Sequence, residues 1–295
     1  MVARRVSGSG RSAPPETLLR SQMGRTIALG IGAGFLSGLF GVGGGILIVP
    51  VLVLALKMDQ RLAHGTSLAA VLPIAVSGLI GFAMEDSVDW PVALMLTVGA
   101  MLGAVIGTNA LHRMSTTFLA RAFATILFLS ALRLVLDHSS ATGRSDLSAG
   151  SLLALLALGL TSGTLAGLLG VGGGVIMVPA MIIFFGIPGA VAKGTSLAVI
   201  IPTSLVATQR NLKNGNADLP VALTVGLAGV ASSYVASKIS VGLDEKTSNL
   251  LFAALLALVA VRIVIKSLSS SGDASEAEAD TARGGAGAAR PEPSG

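Results

Sequence analysis

The chain contains no cysteine among its 295 residues and has one Trp and one Tyr. Without thiols, it can form neither disulfides nor thiolate metal sites, and it has no thiol redox chemistry. Charge is also scarce, at 12% of residues against 52% hydrophobic. Residues 92–111, 147–169 and 250–265 carry almost no charge. Runs near 20 residues match a bilayer core of about 30 Å at about 1.5 Å per residue. The composition therefore predicts an integral membrane protein.

The two ends of the chain differ from its apolar middle. Residues 1–24 are basic and rich in Ser, Gly and Pro, which predicts a disordered cytoplasmic tail. This tail lacks the aromatic residues that would favour nucleic-acid binding, so no such partner is expected. A cleavable signal peptide is not expected either, because the region before the first apolar run is long. Residues 269–295 are small and polar, which predicts a second disordered tail.

An internal duplication organises the middle of the chain. Sliding the chain along itself without a gap, so that Gly34 falls on Gly163, aligns "GLFGVGGGILIVP" at 38–50 with "GLLGVGGGVIMVP" at 167–179. This repeat alignment also places "HGTSLA" on "KGTSLA" and leaves 23 identities in the 61 positions from Gly34 to Leu94. Glycines, prolines and a GTS triplet in register are not expected from chance apolar similarity. We predict two homologous membrane repeats, at 25–140 and 147–268.

Each repeat reads as about five helical segments. The predicted segments are 25–40, 45–56, 66–84, 90–111 and 117–136 in the first repeat, and 147–169, 175–185, 195–209, 219–239 and 247–265 in the second. The segment after each GVGGG has 11 or 12 residues, too few to span a bilayer, so each is predicted to be a half-helix. The predicted fold is an all-α polytopic membrane protein with 8 to 10 transmembrane segments.

The charges of the loops indicate that the second repeat is inverted. With the N-terminus inside, Lys57 and Arg61 lie inside, whereas the acidic loop around Asp86 lies outside. The counterpart of that acidic loop, residues 210–218, is basic and is predicted inside. Both termini are then cytoplasmic, and the layout is one that transporters use. The alternative is two parallel halves of four continuous spans, in which GVGGG is only a kink.

The glycine-rich breaks are the first candidate site. Glycine can turn the chain sharply and expose backbone amides, and the helix that starts there directs its positive dipole end at the gap. Two such breaks predict a site for a small anion. The alternative is that these glycines only allow close helix packing. No G-K-[ST] follows either copy, so a nucleotide phosphate loop is not supported. The candidate residues are Gly41, Gly43, Gly44, Gly45, Gly170, Gly172, Gly173 and Gly174.

The repeated GTS is the second candidate. Thr66, Ser67, Thr195 and Ser196 are predicted at helix starts, where hydroxyls cap free amides and can also donate to an oxyanion. Lys193 precedes its GTS and could supply a positive charge, and His64 occupies the matching place in the first repeat. The alternative for Lys193 and His64 is an interfacial residue that extends towards water.

The phrase G-x-x-G-V-G-G-G-x-x-x-V-P, present in both repeats and followed by G-T-S-L-A, resembles the TauE/SafE sulfite exporter family. The resemblance covers about residues 25–266. It implies a secondary transporter in the cell membrane that moves sulfite or organosulfonates, mostly outward, and about eight spans. The expected partners are the bilayer and a small anionic substrate, with self-association left open.

Two other classes of function remain beside this resemblance. An intramembrane enzyme could pair Ser67 with His64 or Ser196 with Lys193, but no third orienting group is apparent. A scaffold that transports nothing would not require two breaks lined by amides. We therefore expect a transporter without enzymatic activity, cofactor or bound metal. Another small anion remains an alternative substrate.

Overall fold

The computed structural model describes residues 15–110, 125, 127–134, 148–169 and 172–262, with side chains from residue 23 onward except at 107–110, 168 and 169. All regular elements in this part of the chain are α-helices, which confirms the predicted all-α class. Their bounds are α1 Pro15–Phe40, α2 Gly45–Ala55, α3 Gln60–Ala83, α4 Trp90–Ala110, α5 127–134, α6 Ala149–Leu169, α7 Gly174–Phe185, α8 Gly189–Lys213, α9 Leu219–Gly242 and α10 245–262.

Three helices begin earlier than the apolar pattern predicts. α1 begins at Pro15, ahead of the predicted start at position 25, so part of the predicted tail is helical. The length of an apolar run predicts which part of a helix lies in the lipid, but it does not predict whether the helix continues into a polar segment. α3 begins at Gln60, where Asp59 caps it by accepting a hydrogen bond from Arg61 N at 3.0 Å. α8 begins at Gly189 after Pro188. Both GTS triplets therefore lie inside helices, and their predicted position at helix starts is wrong.

Five of the described helices are long and apolar enough to cross a membrane. They are Met23–Phe40, Gln60–Ala83, Ala149–Gly167, Gly189–Lys213 and Leu219–Gly242. The helices after the glycine breaks, α2 and α7, have 11 and 12 residues, as predicted for half-helices. Large apolar side chains such as Phe184 and Leu54 remain exposed, which suits a surface in contact with lipid.

Glycines pack α1 against α9. A Cβ atom added to Gly30 would collide with the carbonyl oxygen of Val225, and one added to Gly34 would collide with that of Gly229. Since a step of four residues along α1 matches a step of four along α9, the two helices run parallel. α4 and α6 repeat the arrangement, with Gly159 against Leu96 and Gly163 against Ala100. Small residues at such contacts let helix backbones approach closely in membranes.

The central helices α3 and α8 run antiparallel. Gly65, near the start of α3, lies against the carbonyl oxygen of Asn216 in the loop that follows α8. Gly194, near the start of α8, lies against the carbonyl oxygen of Ser87 in the loop that follows α3. An added Cβ would collide at either position, so both contacts require glycine. The break before α2 lies against both helices, since the Cβ position of Gly43 is 3.1 Å from Val71 on α3 and 3.3 Å from Ile200 on α8.

Candidate functional site

Glycine in left-handed conformation forms both helix breaks. In the first glycine turn, residues 41–44, Gly41, Gly43 and Gly44 have φ of 69°, 78° and 74°. In the second glycine turn, residues 172–173, Gly172 and Gly173 have φ of 83° and 56°. Only glycine adopts these angles without steric cost, so the need for glycine here is conformational. Gly45 and Gly174 are the first residues of α2 and α7, whereas Gly170 lies outside the described residues.

The two glycine turns meet, and we call their meeting point the junction. A Cβ atom placed on Gly174 would lie 2.7 Å from the carbonyl oxygen of Gly41. One placed on Gly172 would lie 3.7 Å from the carbonyl oxygen of Val42. The side chain of Ile200 on α8 reaches both sides, since it lies 3.3 Å from the Cβ position of Gly43 and 2.9 Å from that of Gly174. Turns from two distant parts of the chain thus share one place in the fold.

Ser196 supplies an unpaired hydroxyl at the junction. Its Oγ lies 2.7 Å from the Cβ position of Gly174, the residue is fully buried, and no described group hydrogen-bonds to it. A buried hydroxyl without a partner costs roughly 1 to 3 kcal/mol. Ser196 is therefore placed to hydrogen-bond a molecule that enters the junction.

The junction also offers helix-start amides. The first backbone bonds of α2 run from Leu47 N and Ile48 N to Gly44 O, so the amides of Gly45 and Ile46 come before the hydrogen-bonded part of the helix. Helix starts of this kind carry partial positive charge. The first glycine turn therefore has carbonyl acceptors and, directly after it in the chain, helix-start donors.

The two threonines of the GTS triplets bind loops of the opposite half. Thr66 Oγ1 accepts a hydrogen bond from Asp218 N, and Thr195 Oγ1 accepts one from Asp89 N, each at 2.9 Å. Each aspartate in turn caps the next helix, because its side chain accepts from Val221 N or Val92 N. The threonines are buried and hold long-range loops, whereas the sequence predicts a cap on their own helices.

Lys193 is buried inside the helix bundle. Its Nζ donates to Ser240 Oγ on α9 at 3.1 Å and also to Ser248 Oγ on α10. It lies 5.8 Å from the centroid of the Phe40 ring. With a relative exposure of 1%, the side chain does not extend to a water interface, so that alternative is wrong. The backbone of Lys193 borders the first glycine turn, since a Cβ on Gly41 would lie 2.6 Å from Lys193 Cα.

Comparison with known proteins gives the family. The model of the family described as sulfite exporter TauE/SafE matches residues 1–134 and 155–291. The chain belongs to this family. Among its relatives, the probable membrane transporter protein YunE of Bacillus subtilis is 25% identical over 267 residues, which cover 83% of this chain and 98% of YunE. Probable membrane transporter protein MJ0441 of Methanocaldococcus jannaschii is 23% identical over 255 residues, which cover 81% of this chain and 94% of the relative.

A shorter match supports the same assignment. Probable membrane transporter protein YdhB of Bacillus subtilis is 38% identical over 111 residues, which cover 36% of this chain and 45% of YdhB. No solved structure matches the chain. With its apolar helices, this TauE/SafE chain is a multi-pass membrane transporter protein.

Two candidate residues of this TauE/SafE protein lie on α3. Ser67 is fully buried and His64 is half-buried, both on the segment that corresponds to Lys193 and Ser196 of α8. The sequence did not predict the partners of Lys193, which are Ser240 and Ser248. Ser233, Ser237 and Ser240 recur at spacings of three and four, and this periodicity indicates a polar helix face.

Proposed function

We propose that this TauE/SafE protein is a secondary transporter that exports small sulfur-containing anions, sulfite or organosulfonates, across the cell membrane. The observation that carries the proposal is the junction, where two glycine turns, a helix-start amide pair and the unpaired hydroxyl of Ser196 come together. Backbone amides at a helix start and a buried hydroxyl are groups that bind small oxyanions. The family description names sulfite, and organosulfonates are the related anions that the sequence resemblance implies.

Inverted repeats are the second part of the proposal. The corresponding helices α3 and α8 run antiparallel, as inversion requires. α1 runs parallel to α9, and their counterparts α6 and α4 also run parallel to each other. The contacts Thr66 to Asp218 and Thr195 to Asp89 exchange under the repeat alignment, which supports a pseudo-two-fold axis. By loop charge, both termini and Lys213 are then cytoplasmic, whereas Asp86 is outside.

The substrate in this proposal rests between the two glycine turns. An anion that carries a proton or a bound water uses both donors and acceptors, so the carbonyl oxygens of Gly41 and Val42 do not argue against it. Lys193 contributes a buried positive charge, which Ser240 and Ser248 hold, from a residue whose backbone borders the first turn. The proposed binding residues are Gly41, Gly43, Gly44, Gly45, His64, Thr66, Ser67, Gly170, Gly172, Gly173, Gly174, Lys193, Thr195 and Ser196, with the threonines acting through the loops that they hold.

Transport proceeds by alternate exposure of the junction as the two halves rock against each other. An inside-negative membrane potential favours the outward movement of an anion by about 2.3 kcal/mol per charge per 100 mV. This term can drive export without an intramembrane carboxylate as proton carrier.

Efflux from proteoliposomes tests the proposal. Vesicles containing the purified protein are loaded with sulfite, methanesulfonate or chloride, and efflux is followed with and without an imposed potential. We expect faster efflux of the two sulfur anions, increased by a negative interior. Faster chloride efflux would favour the alternative of another small anion, and no efflux of any anion from a folded protein would contradict transport of this class.

Gly174→Ala is a variant in which the added methyl group should block the junction. Its Cβ would meet Gly41 O and Ser196 Oγ at 2.7 Å, inside the junction, without requiring a left-handed φ. We expect this variant to lose efflux. Gly24→Ala is the control, because an added Cβ there has no heavy atom within 4 Å.

The enzyme alternative lacks support at Ser196. A serine nucleophile needs a base within hydrogen-bond reach. Lys193 Nζ instead bonds to Ser240 and Ser248, and Ser196 Oγ has no partner among the described residues.

A further inference from the structure

We propose that α8 lines a hydrophilic path from the junction to the Lys213 end of the helix, and that α3, its described counterpart, lacks such a row. The path serves as the entry for the anion, so this inference rests on the proposed function. Its evidence is a row of buried hydroxyls on α8 that no described group satisfies.

Three hydroxyls of α8 share this property. Ser196, Ser204 and Thr208 have relative exposures of 0%, 1% and 7%, and none of their hydroxyl oxygens has a hydrogen-bond partner in the described part of the chain. In a helix, a serine or threonine can satisfy its hydroxyl by bonding to the carbonyl one turn earlier, as Thr203 does with Val199 O. Ser204 and Thr208 do not, although burial without a partner is unfavourable.

The hydroxyls fall on one side of the helix. Residues 196, 200, 204 and 208 recur every four positions, so their side chains follow each other along α8 with a slow drift around the axis. Ile200 contacts both glycine turns, which places this side of α8 at the junction. Further along, Asn211 packs near Gly65 of α3. The row therefore begins at the junction, continues between α3 and α8, and ends near the loop after α8.

The first repeat is apolar at the matching positions. In the repeat alignment, Ser204 corresponds to Ala75 and Thr208 corresponds to Leu79. Ala75 is fully buried, and Leu79 packs against the hydrophobic core. The helices α3 and α8 thus differ in polarity along the part of α8 that extends from the junction towards Lys213. Packing alone would be satisfied by alanine and leucine in both, so the hydroxyls indicate contact with water or a polar solute in another state.

Positively charged residues at the end of the row would attract an anion. The last turn of α8 contains Arg210 and Lys213, and Lys213 is exposed. A basic opening raises the local concentration of anions. In the proposed topology this end faces the cytoplasm, which is the side from which an exporter takes its substrate.

Cysteine accessibility tests the path directly, because the chain has no native cysteine. Ser204→Cys and Thr208→Cys are compared with their counterparts Ala75→Cys and Leu79→Cys. The probe is 2-sulfonatoethyl methanethiosulfonate, a small sulfonate anion that reacts with thiols only in water. Each reaction is measured in the intact protein and again after denaturation, which verifies that the thiol is present.

We expect Ser204→Cys and Thr208→Cys to react at least tenfold faster than their counterparts, and an excess of methanesulfonate, which does not react with the reagent, to slow them. Equal rates in the two pairs, or slower reaction at α8, would overturn the path. The paired variants Ser204→Ala and Thr208→Val provide a second measurement that needs no labelling, with lowered efflux and unchanged thermal stability expected. Normal efflux in both would count against the path.

These outcomes separate the path from the proposed function. If only the path proposal is wrong, the paired cysteines react alike while the unmodified protein still exports sulfur anions. If the proposed function is wrong, the unmodified protein shows no selective efflux of sulfur anions, whatever the labelling pattern.

Discussion

The hydroxyl oxygen of Thr195 lies 2.9 Å from the backbone nitrogen of Asp89, although the two residues are 106 positions apart. Thr66 holds Asp218 in the same way across 152 positions. Each half of the protein therefore fixes the start of a helix in the other half. A threonine placed inside a helix thus becomes part of the contact that joins the two halves.

Removing the Thr195 hydroxyl is expected to lower stability. Thr195→Val keeps the shape of the side chain but removes the oxygen that accepts from Asp89 N, and loss of one partner of a buried hydrogen bond costs roughly 1 to 3 kcal/mol. Thermal unfolding in detergent measures the change, and Thr66→Val is expected to behave alike. Thr195→Ser retains the oxygen and is the control. If Thr195→Val unfolds at the wild-type temperature, the contact does not join the halves.

Ser196, the next residue, is expected to respond in the opposite way. Ser196→Ala removes a buried hydroxyl that has no described partner, so stability should be unchanged or raised. Hydrogen bonds to charged groups contribute about 1.5 to 3 kcal/mol, so the half-saturation concentration for the anion should rise roughly tenfold or more. Concentration-dependent efflux measures this effect. An unchanged half-saturation concentration would remove Ser196 from the binding site.

Lys193→Gln separates charge from anchoring. Glutamine can still donate to Ser240 or Ser248 but carries no charge. If the ammonium contributes to anion binding, the half-saturation concentration should rise more for a dianion than for a monoanion, because the Coulomb energy scales with substrate charge. Efflux of sulfite above and below its second ionisation provides the comparison. Equal, small effects on both charge states would assign Lys193 to helix packing alone.

Topology can be tested with two single cysteines at corresponding positions. Glu85 and Asn214 match in the repeat alignment and are both exposed, the first after α3 and the second after α8. Inverted repeats place Glu85→Cys outside and Asn214→Cys inside, so an impermeant thiol reagent added to intact cells should modify only the first. Labelling of both from the same side contradicts inversion. Loss of the exposed ion pair between Glu85 and Lys238 should matter little.

The features that the sequence predicts correctly are mainly those that depend on residues close together in the chain. Long uncharged runs, glycines at left-handed turns and short helices after them depend on neighbouring residues, so the membrane class, the two breaks and the half-helices α2 and α7 follow from the sequence alone. The doubled GVGGG phrase likewise led to the TauE/SafE family.

Only the tertiary structure decided which residues meet. Membrane helices that are apolar on all sides give no amphipathic signal of their packing faces, so sequence periodicity does not reveal neighbours. Thr66 and Thr195 therefore read as caps of their own helices, whereas the packing of α3 against α8 brings them to loops of the opposite half. The same packing buries Lys193 against α9 and α10 and joins the two glycine turns, because these contacts depend on how distant helices cross.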